Sequence, residues 1–134
     1  MKKGRMKIVI CGLSITSSWG NGHATNYRGL VRGLYTKGHD VVFLERDLPE
    51  FAFHRDLPEP PYGRMFLYSS LEEFKDRFTQ EIREADAVIV GSFVADGIEI
   101  GKWVNSQCKG ITAFYDLDAP VTMIRLSRGE ETYV

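Results

Sequence analysis

Cysteine is scarce in this 134-residue chain, which has two, Cys11 and Cys108. Neither belongs to a C-x-x-C pair, and no further soft ligand stands near either in sequence. That excludes a disulfide-built scaffold and supplies no thiolate metal site, so both are expected to be reduced and structural. An excess of one charge is also missing. Lysine and arginine total 17 against 18 acidic residues, a formal net charge of −1. No strong field is present to recruit nucleic acid or an anionic membrane, and no nucleic-acid partner is expected. The one basic cluster is Lys2, Lys3, Arg5 and Lys7. It reads as a solvated leader, with a phosphate-binding arm as the sharper alternative. Apolar runs are short. None approaches the roughly 20 residues that span a bilayer, and 8–11 is too brief for a signal-peptide core. A cytoplasmic protein without a membrane span is expected. Proline is concentrated: all but one of the five, Pro49, Pro58, Pro60 and Pro61, lie inside 48–62. That stretch cannot be regular throughout, and connections of this length are usually functional or mobile.

What is present is an alternation. Residues 7–11, K-I-V-I-C, make a continuous apolar run, as in a strand buried on both faces. A Gly- and Ser-rich loop follows. Tyr27, Leu30, Val31, Leu34 and Tyr35 then fall on one helical stripe, and Gly38 stops it. V-V-F-L at 41–44 predicts a second strand, 51–55 a helical turn, and 65–68 a third strand. Ser70 and Glu73 have capping-box spacing, before a face of Leu71, Phe74, Phe78 and Ile82. A-V-I-V at 87–90 predicts a fourth strand, ending at Gly91 and Ser92. Asp96 with Glu99 marks a helix start; Ile100, Trp103, Val104 and Cys108 give its apolar face, and Gly110 ends it. Residues 111–115 predict a fifth strand. Asp118 as cap and Pro120 in the first turn open a last short helix. Such alternation predicts the α/β class. The expectation is one Rossmann-like domain over 1–134, a parallel sheet of about five strands with helices on both faces.

In open parallel sheets ligands bind beyond the carboxyl ends of the strands, where the strand order reverses. The loop after the first strand borders that crevice and reads S-I-T-S-S-W-G-N-G-H-A-T over 14–25. Gly20 and Gly22 permit close backbone approach, and a helix start can hold an anion. The dinucleotide fingerprint is not met. From Gly20 the pattern runs G-N-G-H-A-T, and Gly20 comes eight residues after Gly12 where a tight turn is needed. No G-K-[ST] follows, so the phosphate loop of nucleotide hydrolases is excluded. Glu45 stands where a ribose-binding acid would, which keeps an NAD(P)-binding domain as an alternative. His23 sits at the loop–helix junction. The positive end of a helix dipole disfavours a second positive charge there, and a neutral imidazole can take a proton from a hydroxyl. Its plainer roles are to cap the helix or pack on Trp19. His39 and His54 read as structural or solvated. Ser17, Ser18 and Asn21 offer hydroxyl and amide groups, and Trp19 offers either a face for a sugar ring or a packing plug. Ser92 and Asp96 face the same crevice. Arg46 and Arg55 can reach an anionic acceptor or serve as surface charges.

Several segments taken in order resemble a known family. They are M-K-I-V-I, G-N-G-H-A, Y-R-G-L, G-H-D-V-V-F-L-E-R-D, A-D-A-V-I-V-G-S and F-Y-D-L-D-A-P-V-T. Together they resemble the N-terminal domain of bacterial GT-B glycosyltransferases related to the CgeB-like spore-maturation group, from Met6 to Val134. GT-B enzymes place two Rossmann-like domains across a cleft, the first mostly binding the acceptor and the second the nucleotide-sugar. The resemblance therefore implies an acceptor-side domain, which helps move a sugar onto the hydroxyl of a small-molecule or glycan acceptor. It covers only that half, so the donor-binding half is expected on a partner domain or subunit, and this chain is not expected to act alone. No cofactor is implied beyond the nucleotide-sugar donor, which is a substrate. In inverting members a His after the first strand is the base and an Asp from a later strand end orients it. His23 matches the first. Asp116 or Asp118 matches the second, Asp116 ranking first because Asp118 has a capping role open to it. Ser17, Ser18, Trp19, Gly20, Asn21, Gly22, Ser92 and Asp118 are the expected substrate contacts. In retaining members the glycine loop approaches the diphosphate instead. Asp116-x-Asp118 also spells the metal-binding D-x-D of GT-A enzymes, but the glycine loop and early His fit GT-B, and no metal is expected. The alternative is a non-catalytic ligand-binding module of the same fold. A face built for a partner predicts self-association into a homo-oligomer.

Overall fold

The strongest apolar run of the sequence becomes the middle of the sheet. The computed structural model describes residues 4–132, so Lys2 and Lys3 of the basic cluster lie outside the described residues. The elements are β1 (Lys7–Gly12), α1 (His23–Thr36), β2 (Asp40–Arg46), α2 (Pro49–Ala52), β3 (Arg64–Tyr68), α3 (Leu71–Glu84), β4 (Ala87–Gly91), α4 (Gly97–Gln107), β5 (Ile111–Tyr115) and α5 (Ala119–Ser127). The strands pair in the order β3-β2-β1-β4-β5, all parallel. β1 is paired on both edges: Cys11 lies opposite Leu44 on one side and Val90 on the other.

Alternate residues of the strands feed two cores. Ile8, Ile10, Val41 and Phe43 pack with Tyr27 and Val31 of α1 on one face. Val9, Cys11, Val42, Leu44, Val88 and Val90 pack with Phe74, Phe78, Ile100 and Val104 of α3 and α4 on the other. This is the expected α/β domain with helices on both faces. Each fully buried aliphatic or aromatic side chain contributes roughly 1.5–3 kcal/mol by leaving water. Cys11 is wholly enclosed and unpaired, and burial pushes its thiol up to about 12.

The connections after β1 and β4 run in opposite directions along the sheet, so the crevice expected of this topology lies over the carboxyl ends of these two strands. Both strands end in glycine there. A Cβ on Gly12 would come 2.5 Å from the Phe43 ring, and one on Gly91 would overlap the Tyr27 hydroxyl. The buried Tyr27 ring, edge-on to Phe43 at 5.0 Å and to Tyr115 at 5.9 Å, floors the crevice.

Local signals mostly act as chemistry predicts. Ser70 Oγ accepts from the Glu73 N–H at 3.1 Å, while Glu73 Oε1 accepts from the Ser69 N–H at 3.2 Å, one residue ahead of the usual box. The helical turn expected at 51–55 instead begins at Pro49, whose fixed φ suits a first helical position. Asp96 precedes α4 but does not cap it. Its φ of 56° is left-handed, no cap bond forms, and its carboxylate accepts from Arg46 Nη1 at 3.0 Å. At the β5 edge Ile111 is exposed, as are Val121, Met123, Ile124 and Leu126 of α5. Among the described residues no helix is long and apolar enough to cross a membrane.

Candidate active site

The loop between β1 and α1 is held from below by a buried acid. Glu45, fully enclosed at the end of β2, accepts from the backbone N–H of Ile15 at 2.7 Å and of Thr16 at 3.1 Å through Oε1. Its Oε2 accepts from Thr16 Oγ1 at 2.7 Å. The side chain that sequence position offered to a ribose is therefore consumed by the chain's own loop. Backbone donors of an irregular buried segment need partners, and this carboxylate supplies them.

A second clamp joins this loop to the one after α2. Ser17 Oγ donates to the His54 carbonyl at 2.7 Å, and the Leu57 N–H donates to the Thr16 carbonyl at 2.9 Å. Asp56 accepts from the Ser18 N–H at 3.0 Å, from Ser18 Oγ at 2.8 Å, and from both terminal nitrogens of Arg28 at 2.9 and 3.3 Å. Arg28 Nε also donates to the Ile15 carbonyl at 2.8 Å. The Arg28 hydrogen bonds, then those of Ser18, hold the Asp56 carboxyl well below the usual carboxylate range. Arg55 donates to Thr16 Oγ1 at 3.0 Å and to Asp47 at 2.9 Å. Ser17 and Ser18 thus spend their hydroxyls on the scaffold, and Arg46 and Arg55 are both paired within the chain.

The junction with α1 is capped by Asn21. Its Oδ1 accepts from the Ala24 N–H at 3.1 Å, and its Nδ2 donates to the carbonyls of Ser17 and Trp19, both at 3.1 Å. Gly20 turns the chain at a φ of +64°. Gly22 has an ordinary φ of −92°, and a Cβ there would meet nothing within 4 Å. Neither backbone nor packing demands glycine at Gly22, so its bareness leaves open space beside His23.

His23 neither caps the helix nor packs on Trp19; the ring stacked on Trp19 is His54, at 4.4 Å and 8°. His23 Nε2 instead faces Asp118 Oδ2 at 3.2 Å. The same oxygen accepts from Ser92 Oγ at 2.8 Å, and Ser92 Oγ accepts from the Leu117 N–H at 3.0 Å. Three loops beyond β1, β4 and β5 thus converge on one carboxylate. Asp118 was expected to cap α5 and does not: at φ −134° and ψ 44° its side chain turns away from the helix. Asp116, ranked ahead of it as partner of His23, has the local role, accepting from the Asp118 N–H at 2.8 Å. That bond shapes the turn that delivers Asp118.

This 3.2 Å approach sets what the imidazole can do. A proton on Nε2 directed at a carboxylate leaves Nδ1 with the free lone pair. Nδ1 has no hydrogen-bond partner and is enclosed. Phe93 lies edge-on to the ring at 6.3 Å, half exposed and with a left-handed φ of 61°, an uncommon conformation for an aromatic residue. Sequence reasoning gave no role to Phe93, Asp56 or Arg28, although Arg28 lies within Y-R-G-L, and it read His54 as structural or solvated. No group of three or more metal-ligating side chains occurs among the described residues.

These observations define a Rossmann-like α/β domain with a His–Asp–Ser cluster at its topological switch point. Comparison with protein-family models gives no match, and a search of curated proteins gives none.

Proposed function

We propose that this chain is the acceptor-side domain of a GT-B glycosyltransferase, in which His23 takes the proton of an acceptor hydroxyl and Asp118 orients and stabilises it. The single observation that carries this reading is the 3.2 Å approach of His23 Nε2 to Asp118 at the carboxyl ends of the strands. A carboxylate behind an imidazole selects its tautomer and stabilises the imidazolium as it forms. Ser92 spends its hydroxyl on Asp118, so it positions the carboxylate. The acceptor O–H proton passes to Nδ1. The freed oxygen bonds to the anomeric carbon of a nucleotide-sugar, and the bond to the diphosphate breaks with its electron pair leaving on the nucleotide. The donor would be bound by a second domain or subunit. Because Nδ1 is enclosed, an arriving hydroxyl needs local movement around the ring, whose aromatic neighbours are Tyr27 and Phe93, both at 6.3 Å.

In the complete enzyme, His23→Ala is expected to abolish turnover with the fold intact, and Asp118→Asn to cut kcat with a smaller change in KM. Product formation from a nucleotide-sugar by the His23→Ala enzyme at a near-normal rate refutes the base assignment. Saturable NAD(H) binding by the chain would favour a dinucleotide-linked enzyme instead.

A further inference from the structure

Folding leaves one set of aromatic side chains unexplained. Phe53 is 84% exposed and Trp19 52% exposed, and both stand beside the exposed His54. So exposed a phenylalanine gains little from burial. The three sit on the most heavily cross-linked part of the surface, where Ser17, Ser18, Thr16 and Arg28 bind the two loops together. The backbone that displays them is therefore cross-linked, and part of the ordering cost that a ligand normally meets has been met by the fold.

We propose that this face is a saccharide subsite, with the open face of Trp19 as its floor. The cup is shallow and open, lined by Ser18, Trp19, Phe53, His54, Arg55 and Asp56 over about 410 Å³, as suits a saccharide held by one face. An indole braced from behind by a parallel imidazole offers a flat apolar surface, and the axial C–H groups of a pyranose match such a surface. Ring hydroxyls would project past the indole towards Ser18, Arg55 and Asp56, which line the same face. The charges around the cup are already matched: Arg28 is paired with Asp56, and Arg55 with Asp47. A site built for a phosphate or an acidic peptide would keep a cation unpaired; this one suits an uncharged ring. Trp19 stands four residues before His23, and Asn21 ties its carbonyl to the start of α1. That the bound saccharide is the acceptor rests on the glycosyl-transfer reading; that it binds does not.

The test is titration of the isotope-labelled chain with cellotetraose, maltotetraose and chitotetraose, following the Trp19 indole N–H and the amides of Phe53 and Asp56. The Trp103 indole, packed edge-on to Phe74, is the internal control. At least one of the three is expected to shift the Trp19 set saturably while Trp103 stays still. Trp19→Ala should weaken that binding roughly tenfold or more and Phe53→Ala several-fold, with unfolding midpoints close to that of the parent chain. No saturable shift with any of the three up to about 10 mM overturns the subsite, as does unchanged binding by Trp19→Ala. Concentration-dependent broadening of the Trp19 set without saccharide would make this face a contact between copies and equally overturn it. Saccharide binding together with near-normal turnover by the His23→Ala enzyme would leave the subsite standing and remove the transfer mechanism.

Discussion

Removal of Glu45 should be felt strongly although it is not part of the apolar core. Glu45→Ala deletes a fully buried carboxylate that accepts three hydrogen bonds from Ile15 and Thr16. Two of the donors are buried backbone N–H groups, and each buried donor left without a partner costs about 1–3 kcal/mol. The Thr16 hydroxyl can turn and recover part of its loss through its contact with Arg55. Arg55 Nη2, 3.9 Å from Glu45, keeps its partner Asp47. Adding the void left by the side chain, the expected loss is about 3–5 kcal/mol, a large part of the 5–15 kcal/mol that holds such a domain together. Glu45→Gln keeps one acceptor oxygen for the two N–H groups, but it loses charge assistance and turns an amide NH2 towards the Thr16 hydroxyl, which must rotate to accept from it, so about 1–2 kcal/mol is expected. The assay is urea unfolding followed by far-ultraviolet circular dichroism, with amide exchange at Ile15 and Thr16 as the local probe. In a thermal scan of the same signal, Glu45→Ala should lower Tm by roughly 10–20 °C. A loss below about 1 kcal/mol with native protection at both amides would refute the reasoning, since the loop would then not depend on this acid.

The other outcomes concern the crevice floor and the outer clamp. Gly91→Ala should destabilise by about 2–4 kcal/mol, because the new methyl overlaps the Tyr27 hydroxyl. Tyr27→Phe in the same chain should recover part of it by denaturant unfolding, and strict additivity of the two would count against the clash. Asp56 should remain ionised on acidification. Its folded value is depressed below the ordinary 3.8, so the stability it confers is complete above that value and is lost as pH falls below it towards the folded value. Asp56 is half exposed, so solvent screening keeps that contribution modest. The Asp56 carboxyl resonance should therefore show no titration between neutral pH and about pH 4; a midpoint at the ordinary value would mean that the Arg28 clamp is absent in solution.

The two clamps explain how a polar loop can carry a site. Residues 13–22 have no regular structure, yet Ser14, Ile15, Thr16 and Ser17 are all buried. Their backbone groups are met by Glu45, Arg28 and the loop after α2, so the site is held by side chains that do no chemistry themselves. This also bears on the dinucleotide alternative: Tyr27 fills the crevice floor, and Glu45 is turned to the loop.

The sequence alone determined the sheet and its two cores. Periodicity is a local property: 7–11 reads as a doubly buried strand and Tyr27, Val31 and their neighbours as one helix face, and the structure places both so. The glycine-rich loop and His23 at its end were legible for the same reason. The partner of His23 was not. Asp116 and Asp118 are near neighbours on one strand end, and no local rule says which turns inwards. A hydrogen bond from the Asp118 N–H to Asp116, together with Ser92 arriving from β4, decided it. Asp96 shows the same limit, since its spacing suited a cap but Arg46, fifty residues away, took its carboxylate. The roles of Glu45, Asp56, Arg28, Phe93 and His54 follow from which strand ends and loops lie side by side, and that is set by the packing of the whole sheet.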